Sequence, residues 1–200
     1  MEQTYAIELK NITKRFGKIV ANDGINLKVK RGEILSLLGE NGSGKTTLMN
    51  MISGIYFPDE GHILVDGKAV SIRSPKDSFD LGIGMIHQHF KLIDVMTAAE
   101  NIILGLKGNA VLDMKKVHKD IQELVDRYGF DLDPAQKVYT MSVSQKQTVE
   151  IVKMLYRGAN ILILDEPTAV LTPQEVDKLF EVLRNMRDDG RAIIIITHKL

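Results

Sequence analysis

The sequence predicts an α/β fold in which the central sheet is mainly parallel. Three short apolar runs, at 33–38, 161–164 and 192–196, are typical of strands that are covered on both faces. Segments with helical spacing separate them, and strands that alternate with helices in this way indicate parallel βαβ units. The first third of the chain is predicted to contain further strands, because apolar and polar residues alternate over 25–29.

Helices are predicted for most of the middle of the chain, from about 97 to 155. The tetrapeptides 97–100, 142–145 and 172–175 each place Ser or Thr three residues before Glu or Gln, which is the pattern of a helix-capping box. The helix that begins at the third of these is expected to run to about Asp188. Apolar residues at helical spacing end at Gly129, a typical helix C-terminus.

The composition excludes several classes of function. The 200 residues include 26 Lys and Arg against 26 Asp and Glu, and this zero net charge argues against a strongly basic nucleic-acid surface. There is no cysteine, which excludes a disulfide framework, a thiolate metal site and a cysteine nucleophile. No apolar run approaches the roughly 20 residues of a membrane helix. Residues 1–4 show no signal peptide, so we expect a cytoplasmic domain.

A phosphate-binding loop is predicted after the first of the apolar strands, because residues 39–46 match G-x-x-x-x-G-K-[ST]. Glycines let several N–H groups face one point, and the following helix directs its positive N-terminus there. Lys45 supplies a charge for the β- and γ-phosphates, and Thr46 a hydroxyl for Mg²⁺. A chance glycine-rich turn is the alternative. The candidate nucleotide-binding residues are Gly39, Glu40, Asn41, Gly42, Ser43, Gly44, Lys45, Thr46 and Thr47.

Two acids and a histidine follow the other apolar strands. Asp165 and Glu166 come directly after 161–164, and His198 follows the last strand. Because ligands gather at the carboxyl ends of parallel strands, Asp165 is a candidate ligand of Mg²⁺. Glu166 is a candidate to polarise an attacking water, and His198 to reach a γ-phosphate. The alternatives are an exposed acidic turn before Pro167 and a structural histidine.

These motifs, in this order, resemble the nucleotide-binding domain of ATP-binding cassette (ABC) transporters. Residues 39–46 are similar to the Walker A loop and 161–165 to Walker B, with Glu166 as the catalytic base and His198 as the switch histidine. The resemblance implies ATP and Mg²⁺ as cofactors, with Lys45 among the catalytic residues. It also implies a P-loop NTPase core with a mainly parallel sheet, an antiparallel β-subdomain near the N-terminus and an inserted α-helical subdomain.

The resemblance alone indicates two further site residues. Phe16 falls where the family has an aromatic side chain that stacks on adenine, and a core phenylalanine is the alternative. Gln88 matches the family's Q-loop glutamine, which touches Mg²⁺ and water while its loop senses the membrane partner. The Mg²⁺ ligands that the resemblance implies are Thr46, Gln88 and Asp165.

The resemblance covers nearly the whole chain and implies one ATP-binding domain over 1–200. Its core is expected at about 1–89 and 158–200, and its helical subdomain at about 90–157. The chain ends two residues after His198, which is short of a complete domain in the family, so we expect a truncated cassette.

Three stretches of the chain resemble importers of simple sugars and nucleosides, a branch in which two cassettes are usually fused. They are 84–90, 150–159 and 166–173. We therefore expect the N-terminal cassette of a longer protein, located at the cytoplasmic face of the cell membrane. The implied partners are a second cassette, in the same polypeptide or as a dimer, membrane-spanning permease subunits and, indirectly, a solute-binding protein. No nucleic-acid partner is expected.

The family's signature segment, which caps the γ-phosphate bound by the opposite cassette, is altered in this sequence. Ser144 stands in place of glycine and Thr148 in place of arginine, and a Cβ at 144 restricts the approach of the backbone to phosphate. Loss of one such donor costs about 3 kcal/mol, so we expect the partner's site to be the weak one. Thr172 stands where the family usually has aspartate, which weakens the expectation of cross-dimer coupling there. The segment comprises Ser142, Val143, Ser144 and Gln145.

An ATPase subunit that powers import is therefore the predicted function, and two alternatives stay open. One is a degenerate cassette that binds ATP with little turnover, which the changes at 144 and 148 favour and intact Glu166 and His198 oppose. The other is a non-transport cassette that acts on ribosomes or DNA. The zero net charge and the importer-like segment around Gln88 count against it.

Overall fold

The computed structural model describes residues 5–88, 90–106 and 113–198. The strands are β1 (Tyr5–Phe16), β2 (Ile19–Lys30), β3 (Ile34–Leu38), β4 (Glu60–Val65), β5 (Lys68–Val70), β6 (Ile83–Ile86), β7 (Ile161–Asp165) and β8 (Ala192–Thr197). The α-helices are α1 (Lys45–Ile52), α2 (Pro75–Asp80), α3 (Ala98–Ile103), α4 (Met114–Tyr128), α5 (Val143–Tyr156) and α6 (Pro173–Asp188). A short 3-10 helix covers Val138–Thr140.

Within these ranges, no helix is long and apolar enough to cross a membrane. Residues 1–4, where no signal peptide is expected, lie outside the described residues, as does residue 89 at the expected domain boundary.

The strands form two four-stranded sheets, as predicted for an α/β fold with an antiparallel β-subdomain. The first sheet has the order β2-β1-β4-β5 and all of its pairs are antiparallel. The second has the order β3-β8-β7-β6 and all of its pairs are parallel. The carboxyl ends of β3, β6, β7 and β8 therefore lie along one edge, which brings the loops that follow them together.

One strand departs from the prediction. We expected 33–38 to be covered on both faces, but Ser36 and Leu38 are exposed, Leu38 to 49%. The reason is its place in the sheet, since β3 pairs with β8 on one side and, in the described part of the chain, no strand pairs with its other side. The predicted burial is confirmed for β8, whose first five residues are buried, and for β7, whose first four are buried.

The parallel sheet separates two hydrophobic cores. Along β7, Leu162 and Leu164 pack with side chains of α3 to α6, whereas Ile161 and Ile163 face α1 and the antiparallel sheet. Full burial of one such side chain contributes roughly 1.5–3 kcal/mol, so both layers hold the central strands in place. Helices α3 to α5 lie in sequence between β6 and β7, which are neighbours in the sheet.

The predicted helix starts are confirmed. Each of the three capping boxes has both of its reciprocal hydrogen bonds, at the first turns of α3, α5 and α6. Helix α4 ends at Gly129, which has the left-handed φ of 78° that favours glycine. The starts of α3, α5 and α6 are therefore fixed by local hydrogen bonds.

Candidate nucleotide-binding site

The phosphate loop, residues 39–44, connects β3 to the N-terminus of α1. Gly44 has a left-handed φ of 87°, and a Cβ there would lie 2.3 Å from the carbonyl oxygen of Ala21, so glycine is required. Asn22, buried in β2, donates from Nδ2 to the carbonyl oxygen of Gly44 at 3.2 Å. Strand β2 therefore fixes the end of the loop. This role of Asn22 could not be predicted, because a polar residue in an alternating strand does not reveal its partner.

Lys45 lies across the phosphate loop. Its Nζ donates to the carbonyl oxygens of Gly39 and Glu40, and to Ser43 Oγ at 3.3 Å. The ammonium group is therefore held inside the loop that the sequence predicted to bind phosphate, and a bound phosphate would compete for it. Thr46, at the start of α1, is exposed, so its hydroxyl is accessible to a ligand.

Asp165 lies at the end of β7, close to the phosphate loop. Burial is the largest cause of a raised pKa for this carboxyl, and the charge of Glu166 raises it further. His87 and Lys45 act in the opposite direction and lower the pKa, so both side chains lie within electrostatic range of Asp165. A partly desolvated carboxylate beside other oxygen donors suits Mg²⁺, a hard cation that would favour the ionised form.

Glu166 and His198 contact each other at the edge of the parallel sheet. Glu166 Oε1 lies 2.8 Å from His198 Nδ1, and the backbone N–H of Glu166 donates to the carbonyl oxygen of Ile196 at 2.9 Å. Glu166 also has a φ of 49°, which is uncommon for a residue with a Cβ. A strained residue that the surrounding structure holds in place is typical of functional sites. The alternative of a free acidic turn does not account for these contacts.

Gln88 follows β6 at the same edge of the sheet and is exposed. Its neighbour His87 is half-buried, and burial lowers the pKa of the imidazole, an effect that the nearby Asp165 partly opposes. His87 is not among the predicted site residues. Its position directly before Gln88, after an apolar strand, is the signal that would have suggested it.

Phe16 lies at the end of β1 and is 42% exposed, which contradicts the alternative of a core phenylalanine. The ring of Tyr56 packs edge-to-face against it, with ring centroids 5.2 Å apart and planes at 71°. Lys14 Nζ lies 5.5 Å from the centroid of the Phe16 ring. These contacts orient an aromatic ring that remains accessible to a ligand.

The comparison with known families agrees with this arrangement, because the family model described as ABC transporter matches residues 22–169. The chain belongs to the ABC transporter family. The matched range begins in β2 and ends just after β7, so it includes the phosphate loop, the helices α3 to α5 and the acids Asp165 and Glu166.

Two relatives of this ABC transporter chain are named as import proteins. It is 52% identical over its whole length to the nucleoside import ATP-binding protein NupA of Lactococcus lactis subsp. cremoris. It is 54% identical, over 95% of its length, to the guanosine import ATP-binding protein NupO of Bacillus subtilis. The chain spans 40% and 38% of the lengths of these two relatives.

Solved structures of ATP-binding cassettes have the same fold. The ADP conformation of the cassette MJ1267 matches with a TM-score of 0.87 and 26% identity, covering 98% of this chain and 82% of that one. The dimeric, post-hydrolysis cassette MJ0796, bound to ADP and Pi, matches with a TM-score of 0.79 and 29% identity. That match covers 96% of this chain and 88% of the other.

The signature segment of this ABC transporter chain forms the N-terminus of α5. Ser142 is the N-cap, and its Oγ accepts a hydrogen bond from the backbone N–H of Gln145 at 3.2 Å. Ser144 Oγ donates to Glu175 Oε1 at 2.7 Å, so the residue that replaces glycine contacts α6. This contact could not be predicted from the sequence, because the two residues are 31 positions apart on different helices.

Helix α5 makes two further polar contacts near the site. Gln147 Nε2 donates to the carbonyl oxygen of Pro167, directly after Glu166, at 3.0 Å. Glu150 Oε1 accepts from the backbone N–H of Lys91, three residues after Gln88, at 3.2 Å. Both side chains are buried, so these hydrogen bonds connect α5 to the two loops that carry candidate site residues.

Proposed function

We propose that this chain is the ATP-binding and ATP-hydrolysing part of an importer of nucleosides or simple sugars. The observation that carries the proposal is the 2.8 Å contact between Glu166 and His198, which lies at the same sheet edge as Asp165 and the phosphate loop. This arrangement supplies a carboxylate and an imidazole where the family's chemistry requires them. The names of the two import relatives support the proposed cargo classes.

Phosphoryl transfer depends mostly on positioning and on neutralising charge. The loop N–H groups and Lys45 bind the phosphates, and Phe16 stacks on the adenine. The residues that would hold Mg²⁺ are Thr46, Gln88 and Asp165; when bound, the ion neutralises phosphate charge. Glu166 orients and polarises the attacking water.

His198 directs Glu166 in this mechanism. Because an ionised carboxylate is only an acceptor, His198 Nδ1 donates the hydrogen bond to Glu166 Oε1. Glu166 Oε2 therefore remains free to accept a proton from water. A contact between His198 and the γ-phosphate then runs through Nε2, which must donate because a phosphate oxygen only accepts; this is the role we propose for the switch histidine.

The proposed assembly contains a second cassette, permease subunits and, through them, a solute-binding protein. Two observations support the second cassette: the MJ0796 structure is dimeric, and this chain spans only 40% of its relative NupA. We assign docking on the permease to the helical subdomain, residues 90–157, and place the assembly at the cytoplasmic face of the membrane. The core then comprises 1–89 and 158–200.

A second candidate function is a cassette that binds ATP with little turnover. The contact of Ser144 Oγ with Glu175 favours it, because a hydroxyl that donates to a carboxylate is not available to a phosphate. Intact Glu166 and His198 favour hydrolysis instead.

Phosphate release from MgATP by the purified chain, with ATP binding measured in the same samples, tests the proposal. Lys45→Ala should weaken ATP binding about 10- to 100-fold, which is the effect of removing a charged hydrogen-bond donor. Lys115→Ala, on the exposed face of α4, is the matched control and should match the wild type. Release by the wild type no faster than by Lys45→Ala would contradict the proposal, and tight binding without release would favour the second candidate.

A further inference from the structure

Two positions at which the sequence departs from the family pattern share one carboxylate. Ser144, in place of the signature glycine, donates to Glu175 Oε1 at 2.7 Å. Thr172, in place of the usual aspartate, donates to Glu175 Oε2 from its backbone N–H at 2.9 Å and from Oγ1 at 3.0 Å. Glu175 thus joins the N-terminus of α5 to the loop that follows Glu166.

The three-residue contact Ser144–Glu175–Thr172 joins the N-terminal ends of α5 and α6 by direct hydrogen bonds. A cavity of about 440 Å³ lies beside it, lined by Gln145 and Thr148 of α5 and by Lys178 of α6 among others. Among the described residues, this is the hydrogen bond that connects α5 directly with α6. Breaking it would remove the direct hydrogen bond between α5 and α6, while the buried contacts of Gln147 and Glu150 keep the rest of α5 in place.

The contact also changes what the N-terminus of α5 offers to an anion. In the described part of the chain, the backbone N–H groups of Val143 and Ser144 have no hydrogen-bond acceptor, as is usual for a first helical turn. The hydrogen bond from Ser144 is the largest cause of a lowered pKa for Glu175, so Glu175 is ionised at neutral pH. An ionised carboxylate next to the first turn repels an incoming phosphate and occupies the Ser144 hydroxyl.

We propose that Glu175 is a positioning residue that restrains the signature segment by holding Ser144 against α6. The restraint must be released before the segment can cap a nucleotide on the opposite cassette. This inference rests on the proposed function, since the signature acts there on a partner's ATP. In this inference, Ser144 couples the rate of ATP hydrolysis to the conformation of the loop that follows Glu166.

Glu175→Gln tests the restraint because it removes the charge and replaces the Ser144–carboxylate hydrogen bond with a weaker neutral one, while the amide oxygen still accepts from the Thr172 backbone. We expect phosphate release to rise about two- to fivefold, the effect typical of one charge near a helix N-terminus. The affinity of the phosphate loop for ATP should not change. Hydrogen exchange should become faster at the backbone amides of Gln145 and Lys146, which donate to the Oγ and the carbonyl oxygen of Ser142.

Two further variants separate the restraint from helix capping. Glu100→Gln changes the corresponding glutamate in the capping box of α3, which makes no bond to α5, and should alter neither phosphate release nor exchange at 145 and 146. Ser144→Ala removes the hydroxyl that donates to Glu175. In the Ser144→Ala background, Glu175→Gln should raise phosphate release by a smaller factor, because only the charge of Glu175 remains to be removed.

Faster exchange together with faster release in Glu175→Gln would support the inference. Unchanged exchange at 145 and 146 would overturn it, and so would faster exchange with unchanged or slower phosphate release. A wild-type chain that binds ATP without hydrolysing it would contradict the proposed ATPase separately. In that case, turnover gained by Glu175→Gln would still support the restraint, and continued inactivity would overturn it.

Discussion

At the scale of single residues, the site depends on side chains that the fold holds in costly conformations. Glu166 has a φ of 49°, and Asp165 is half-buried beside another carboxyl. Neither arrangement favours the folded chain on its own, because positive φ and carboxylate desolvation both cost free energy. These unfavourable arrangements place Glu166 against His198 and Asp165 near Lys45, where the two acids can act on a bound phosphate.

Replacing His198 with alanine should lower the rate of ATP hydrolysis more than the affinity for ATP. The variant loses the hydrogen bond to Glu166 but no phosphate-loop donor. We expect kcat for ATP hydrolysis to fall about 100-fold, the lower end of the range for a lost acid–base contribution, while the Kd for ATP changes less than about twofold. Steady-state kinetics with nucleotide binding measures both, and a parallel loss of binding would contradict the role.

Replacing Asp165 with asparagine should stabilise the nucleotide-free chain. A raised native pKa means that the folded state binds the proton more tightly than the unfolded state, so ionisation of Asp165 costs stability at neutral pH. Roughly below pH 3.9, where the unfolded chain also protonates aspartate, the difference should vanish. Thermal unfolding at pH 7 should show a Tm increase of roughly 2 °C. A lower Tm at pH 7 would contradict the assigned cause.

Restoring glycine at position 144 should raise turnover of the intact transporter. The change removes the Cβ that restricts the approach of phosphate, and it also breaks the bond to Glu175. A gain of severalfold is expected, within the roughly 100-fold that one lost backbone donor can cost. ATPase assays of the assembled transporter measure it, and an unchanged rate would show that Ser144 is not limiting.

At the scale of elements, α5 connects the parts of the site. Ser144, Gln147 and Glu150 are spaced by three residues and lie on one face of the helix. They contact Glu175, the carbonyl oxygen of Pro167 and the backbone of Lys91, respectively. The signature segment is therefore on the same rigid element as the contacts to the Walker B loop and to the segment after Gln88.

Replacing Gln147 with leucine tests this connection. The variant leaves the carbonyl oxygen of Pro167 without its buried donor, which should lower the free energy of unfolding by about 1–3 kcal/mol. Gln122→Leu on the exposed surface of α4, where the amide bonds only Asp126, is the control and should cost less than about 0.5 kcal/mol. If chemical denaturation shows the same loss of unfolding free energy in both variants, the hydrogen bond of Gln147 does not hold the loop.

At the scale of the whole molecule, two sheets and a helical layer bring residues from distant segments to one edge. The sequence could predict this for Asp165, Glu166 and His198, because parallel strands deliver their carboxyl ends to the same side. It could not predict that β3 is an edge strand, since an apolar run does not reveal its neighbours. Short elements such as β5 and α2 were missed for lack of a long periodic pattern, and the Ser144–Glu175 contact depends on tertiary packing.

The most direct test of the central claim compares the wild type with Glu166→Gln at equal ATP occupancy. Glutamine keeps the size of the side chain but cannot accept a proton from water. We expect the Kd for ATP to stay within about twofold while phosphate release falls at least about 100-fold. Release at the wild-type rate in the variant would contradict the role of Glu166 and, with it, the proposed mechanism.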